Sequence, residues 1–299
     1  MSKILDKKSS GYSLALHVMQ GLEHYVGKLA LQGGMGIALG IDASRQTGDI
    51  DMCVSADALV QLGHEMPALV QQLFDQNPWR WTQCLKRDPE LYLHWGGRDR
   101  SRRLRISWWP DDHAAAKQHV EFQFYQVHEE VLLQYPPQMI RVHDQYTQQT
   151  LQFLMQTSYP ISALADKIVA IANSSRIRLI DYVDAAELLE TPDLYLFDVA
   201  RAIEAIMSAY TDKSADEMLR NCLKNRPTLE EFELQRQLDA IRDRVPVEKL
   251  VELAGTVERF DATRTRIVTH AIAIFAGASY IQTGGLSPSA SKPSSSLRM

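Results

Sequence analysis

The sequence predicts an α+β protein in which a mixed β-sheet with packed helices occupies residues 1–147 and an all-helical domain occupies 148–283. Up to about Gln148, helical periodicity alternates with short, aromatic-rich runs broken by glycine and proline. Beyond it only segments of helical spacing remain, with Pro160, Pro192, Pro227 and Pro246 at their boundaries. From Gly284 the chain reads GGLSPSASKPSSSLRM, small, polar and proline-containing, so 284–299 is expected to be a disordered tail.

In order, the polar first ten residues read as frayed. Ser10 to Lys28 spaces Leu14, Val18, Leu22, Tyr25 and Val26 along one helical face. Leu29 to Gln32 reads as a strand, Met35 to Ile41 as a short helix and Asp49 to Val54 as a second strand. Asp57 can cap a helix through Asp75 carrying Leu59, Leu62, Leu69 and Leu73, with Pro67 as a point of interruption. Strands follow at Arg80 to Lys86, Leu91 to Trp95, Leu104 to Trp109 and Val120 to Val127. Helices are then expected at Thr150 to Thr157, Ile161 to Ser174, Arg178 to Leu189 and Tyr195 to Tyr210. Three more are expected at Ser214 to Lys224, Thr228 to Arg244 and Val247 to Ala276.

Composition narrows the class. The 299 residues are 45% hydrophobic and 23% charged, the balance of a folded water-soluble chain. A net charge of −5 means that any nucleic-acid contact must rest on a local basic patch. Three widely spaced cysteines, Cys53, Cys84 and Cys222, fit reduced thiols rather than a disulfide frame. The N-terminus has no apolar leader, and no stretch reaches the ~18 apolar residues of a membrane span, so a cytoplasmic protein without membrane contact is expected.

The chemistry concentrates in Leu31 to Val54, LQGGMGIALGIDASRQTGDIDMCV. Alternation along a strand puts Asp49 and Asp51 on one side, where two like charges repel unless a cation sits between them. Carboxylate oxygens suit Mg²⁺, which takes substrate phosphates as its remaining ligands. Gly33 and Gly34 let the backbone approach a ligand and offer N–H groups to phosphate, and Arg45 adds a fork of donors. Taken alone, the D-x-D also fits a strand end with two solvated aspartates.

This stretch resembles the first motif of the nucleotidyltransferase superfamily with the polymerase-β-like fold. The G-G-x-x-x-A-L run followed by R-x-T-x-D-x-D most resembles the AbiEii/AbiGii abortive-infection toxin family. One departure is Met35, where many relatives carry Ser or Thr; Thr47 or the backbone would then supply the missing bond to phosphate. A second cluster, ADKIVAIANSSRIRLIDYVDAAELL from Ala165, resembles the family's later motif, with Lys167 as its helical lysine and Asp181 and Asp184 as its two acids. Here the departure is Ile180 in place of an arginine, for which Arg176 or Arg178 can substitute.

The resemblance implies a nucleotidyltransferase-like sheet and Mg²⁺-dependent transfer of a nucleoside monophosphate from NTP, with two ions expected. Asp49 and Asp51 would hold metal, with Glu121 as a third carboxylate and Asp111 and Asp112 as its rivals. Gly33, Gly34, Arg45, Thr47 and Lys167 would bind the triphosphate. Asp181 would orient Lys167 or assist proton removal. The resemblance further implies an RNA acceptor such as a tRNA 3′ end, and a cognate antitoxin.

Five arginines lie between Arg98 and Arg105, and Arg100, Arg102 and Arg103 are the candidate RNA-binding residues, with Trp95, Trp108 and Trp109 beside them for stacking. A solvated hairpin accounts for the same run. A small-molecule or protein acceptor, or a degenerate fold that only binds nucleotide or a partner, remain the alternatives.

Overall fold

The structure is a computed structural model describing residues 7–42, 44–76, 92–98, 101–108, 118–174, 176–210, 213–224 and 229–282. It opens with α1 (Ser10–Gly21) and a single 3-10 turn at Glu23–Tyr25, then β1 (Leu29–Gln32), α2 (Gly33–Gly40), β2 (Ile50–Val54) and α3 (Ala56–Gln76). Next come β3 (Tyr92–Arg98), β4 (Ser101–Trp108), β5 (Gln118–Gln126), α4 (Glu129–Leu132), β6 (Pro137–Asp144) and β7 (Gln149–Thr157). The helices α5 (Pro160–Asn173), α6 (Leu179–Leu189), α7 (Leu196–Tyr210) and α8 (Ala215–Lys224) follow. The last elements are α9 (Glu231–Ile241), α10 (Val247–Ala254) and α11 (Val257–Gln282).

The strands form one mixed sheet in the order β3-β4-β5-β2-β1-β7-β6 among the described residues. The pairs β1/β2, β3/β4, β4/β5 and β6/β7 are antiparallel, while β2/β5 and β1/β7 are parallel. Side-chain alternation divides the core in two. On one face Ile50, Met52 and Val54 of β2 join Phe122 and Phe124 of β5 beneath α1 and α3. On the other, Ala30 and Cys53 meet the helices that follow the sheet. Asp51 therefore points to the helical side, and the predicted α+β architecture with its C-terminal helices is observed.

Several expectations are corrected. Thr150 to Thr157 is not a helix but β7, paired to β6 and to β1. Its buried apolar residues, Leu151, Phe153 and Met155, recur at a period of two, and the next helix begins only at Pro160. Strand β6 has no clear sequence signal, because PQMIRVHD carries few apolar side chains. Pro67 does not interrupt α3. The long segment Val247 to Ala276 is two helices, parted at Gly255 and Thr256. The expected strand at 80–86, Cys84, Asp111, Asp112, Trp109 and the tail lie outside the described residues, as do the side chains of Trp95 and Trp108.

Asp144 ties α1 to the β6–β7 turn. Its fully buried carboxylate accepts hydrogen bonds from Ser13 and from Thr147 Oγ1 (2.6 Å), and lies 3.4 Å from His17 Nε2. The backbone N–H of Tyr146 closes the β6–β7 turn on it at 3.0 Å. Burial opposes the charge, but the hydrogen bonds from His17, Ser13 and Thr147 overcome it and hold the carboxyl well below its usual range. Asp144→Ala leaves these donors without an acceptor and is expected to cost roughly 2–3 kcal/mol, read as a lower urea midpoint at neutral pH. A folded pKa below the unfolded value means the stabilisation is complete above about pH 4 and fades as pH falls through the depressed value. An unchanged midpoint would show that α1 is held by apolar packing alone.

Candidate active site

The site forms where β1 passes directly into α2. Gln32, the last residue of β1, is the register partner of Asp51 on β2, so the start of α2 and the aspartate are neighbours. Gly33 has φ +63°, and a Cβ there would lie 3.0 Å from Asp51 Oδ2. At Gly34 a Cβ would lie 2.7 Å from Thr47 Oγ1, a distance no side chain tolerates. Two glycines are thus required for α2 to begin beside Asp51 and Thr47. The free N–H groups of its first turn suit an anion. Thr47 Oγ1 accepts from Asp49 N (3.3 Å) and donates to Asp49 O (3.2 Å), which sets the loop that presents Asp49.

Asp49 and Asp51 line a cleft of about 490 Å³ together with Gly33, Gly34, Thr47 and Lys167. That volume is within the range of small-ligand sites, roughly 300–1,000 Å³. Burial, and then the charge of Asp49, push the Asp51 carboxyl up to about 6 despite the opposing pull of Lys167 and Arg178. Tyr125, a neighbour of Asp51 on β5, is pushed up to about 12 by burial and by that same aspartate. Two carboxylates side by side are a donor set whose repulsion a cation would relieve. Among the described residues no group of three His, Cys, Asp or Glu is arranged to hold a metal ion. A two-carboxylate set completed by substrate phosphates fits Mg²⁺, which keeps several non-protein ligands.

A buried ion-pair chain closes the opposite wall. Lys167 Nζ donates to Asp181 Oδ1 (2.9 Å) and pairs with Asp184 Oδ2 (2.8 Å). Burial works against the ammonium charge, but the two aspartates outweigh it and hold Lys167 above its usual range. Arg45 Nε donates to Asp184 Oδ1 at 3.0 Å, and Arg178 Nε lies 3.4 Å from Asp181 Oδ2. Arg178 lines the cleft, as does Ile180, which is buried in its wall. Met35 is fully buried in the core beneath α1 and offers the cleft nothing.

Two of the expected site residues are held by other side chains in this geometry. Arg45 is 3% exposed, and its guanidinium is taken up by Asp184, by Gln46 O (2.6 Å) and by Arg244 O (2.9 Å). It lines the cleft beside Gly34 and Thr47, and these bonds clamp the 41–49 loop. Glu121 lies outside the cleft lining, and its oxygens are held by Arg103 Nε (3.0 Å) and Arg105 Nη2 (2.7 Å) across β4 and β5. Those two arginines are committed to Glu121, Arg102 is exposed, and Arg100 lies outside the described residues.

Asp166 and Arg244, which the sequence did not single out, line the cleft instead. Asp166 accepts from Tyr135 Oη at 2.8 Å, and burial is the main cause that pushes its carboxyl up to about 7. Its one signal was adjacency to Lys167. Arg244 follows no motif; it reaches the cleft because the α9–α10 connection crosses the loop, where Gln46 N donates to Arg244 O at 3.0 Å.

A family model described as the nucleotidyl transferase AbiEii toxin of type IV toxin–antitoxin systems matches residues 18–266. No curated protein matches the chain. Among solved structures it is similar to JHP933 from Helicobacter pylori, with 11% identity, TM-score 0.47, and coverage of 94% of this chain and 97% of that one. It is also similar to MenT4, a nucleotidyltransferase toxin from Mycobacterium tuberculosis H37Rv, with 13% identity, TM-score 0.46, and coverage of 91% and 95%. With the family match spanning the glycine turn, the aspartate pair and the Lys167 network, the chain belongs to the AbiEii nucleotidyltransferase toxin family.

Proposed function

We propose that this nucleotidyltransferase transfers a nucleoside monophosphate from NTP to a hydroxyl of RNA, such as a tRNA 3′ end, in a Mg²⁺-dependent reaction. The observation that carries this reading is the convergence of the Asp49–Asp51 pair, the N-terminus of α2 and Lys167 on one cleft. Asp49 and Asp51 would hold Mg²⁺, which when bound neutralises charge on the transferred phosphate. The N–H groups of Gly33 and Gly34, the Thr47 hydroxyl and Lys167 receive the triphosphate. Asp181 and Asp184 keep Lys167 charged and aimed, so its positive charge is in place as the leaving group develops. Asp166, held through Oδ2 by Tyr135, is the carboxylate assigned to take the proton of the attacking hydroxyl. Arg45 acts as a positioning residue.

No helix among the described residues is long and apolar enough to cross a membrane. A cytoplasmic site of action and restraint by a cognate antitoxin fit a toxin that modifies RNA. The test is incubation of the purified chain with each α-labelled NTP, Mg²⁺ and total RNA. Label is expected in RNA with one preferred NTP, and none with EDTA. Label in protein or in a small molecule instead would move the acceptor out of the RNA class. No transfer to any acceptor would mark a fold that only binds nucleotide or a partner.

A further inference from the structure

A second groove, of about 610 Å³, opens between the start of α6 and α9. It shares Asp49, Arg178, Ile180 and Arg244 with the nucleotide cleft, so the two are continuous at the aspartate assigned to the metal. We propose that this groove holds the acceptor strand, with RNA phosphates lying against Arg176, Arg178, Arg236 and Arg244 and the terminal hydroxyl delivered toward Asp49. The proposal rests on the RNA-acceptor reading given above.

The charge pattern favours a polyanion. Four arginines line the groove in a chain whose net charge is −5. The acids on its lining are Asp49, at the shared end, and Glu233. Glu233 is already neutralised by Arg236, at 2.8 and 2.7 Å, and by Gln237 at 3.0 Å. At the junction Arg244 has a buried Nε with no hydrogen-bond partner among the described residues. Such a donor is costly unless a ligand supplies an acceptor. Burial lowers its pKa, only partly offset by Asp49, and the neighbouring charges of Arg45 and Arg178 add to the lowering. Arg178 and Arg236 are each mostly exposed and can turn to a phosphate.

Shape and rigidity agree with charge. Between the arginines, Ile177, Leu229, Ala240 and Ile241 give the groove an apolar side, suited to unstacked bases or riboses. Gln237 pins the two walls together, accepting from Leu179 N (2.8 Å) and donating to Ile177 O (3.1 Å). Arg103 and Arg105 of the β3–β4 hairpin pair with Glu121, as Arg236 pairs with Glu233, but they line neither the groove nor the cleft. Continuity with the cleft at Asp49 and Arg244 is what favours the groove as the phosphate track.

The test uses the full chain and a 5′-fluorescent single-stranded RNA oligonucleotide with a free 3′ hydroxyl, titrated by anisotropy over a range of salt. Arg176→Ala/Arg236→Ala is expected to weaken RNA binding roughly 10-fold, and to lower the slope of log K against log salt by about 0.7 for each phosphate that is no longer neutralised. Arg176→Lys/Arg236→Lys should retain most of the affinity, which separates loss of charge from loss of fold. NTP affinity by calorimetry should match wild type in both variants. RNA affinity and salt slope unchanged in the alanine variant would overturn the groove while leaving the RNA reading standing. A wild-type chain that binds NTP but no RNA would overturn both.

Discussion

Asp51→Asn is expected to lower the rate of nucleotidyl transfer by about 10³-fold or more, and Asp49→Asn by a comparable factor. A metal held by carboxylates contributes several kcal/mol to a phosphoryl transition state, and each ~1.4 kcal/mol is a tenfold change in rate. An amide keeps the shape of the side chain but loses the charge that draws Mg²⁺ in. The loss should not come from unfolding. In the metal-free chain the two carboxylates repel, and burial adds to the cost of charging Asp51. Replacing either one should leave the thermal midpoint unchanged or raise it. Rate and stability thus move in different directions, which a merely structural aspartate would not produce. Measuring both on the same preparations checks the assignment: near-normal turnover in either variant would remove that residue from the metal site. A rate loss that tracked a drop in midpoint would make it structural.

How much of this was legible in the sequence follows from how local each signal is. The glycine pair, Thr47 and the aspartates lie within nineteen residues, Gly33 to Asp51, and their roles depend on one strand–helix junction and one loop. Strand parity alone places Asp51 and Cys53 on one face, and the structure puts both on the helical side of β2. Lys167, Asp181 and Asp184 are also visible, since helical spacing brings such side chains together from adjacent helices. What cannot be read is which cation meets which anion across long separations. Arg45 has the chemistry of a phosphate ligand, but Asp184, 139 residues away, claims it. Glu121 has the parity of a metal ligand, but the register of β4 against β5 sets Arg105 directly opposite it. Both outcomes depend on pairings with no local trace. Strand β7 is hidden for a different reason: Leu151, Phe153 and Met155 are buried at alternate positions, but the apolar Leu154 between them breaks the polar–apolar alternation that would mark a strand.

The second large effect is expected at Asp184, which is 2% exposed and lies between Arg45 and Lys167. It connects three separate parts of the chain: the 41–49 loop through Arg45, α5 through Lys167, and its own helix, α6. Asp184→Ala leaves Arg45 with only carbonyl partners and Lys167 with Asp181 alone. Breaking a buried pair by removing one partner costs about 3–5 kcal/mol, a large part of a total stability of about 5–15 kcal/mol. Burial opposes the Asp184 charge, and Lys167 with Arg45 overcomes it, so the folded carboxyl is held below its usual range. Its stabilisation is therefore complete above about pH 4 and is lost as pH falls through the depressed folded value, so wild type and variant should converge there. Arg45→Met/Asp184→Leu separates stability from function. Replacing this part of the network with apolar side chains removes an unpaired charge and should recover much of the stability lost in Asp184→Ala. Transfer activity should stay low in the double variant, because Lys167 has lost one of the two anions that aim it and the loop bearing Asp49 has lost its clamp. Urea unfolding across pH, paired with turnover of labelled NTP, reads both effects. An Asp184→Ala chain as stable as wild type at neutral pH would mean that the ion pairs do not join these parts. Full activity in the double variant would mean that neither the aim of Lys167 nor the Arg45 clamp matters to transfer.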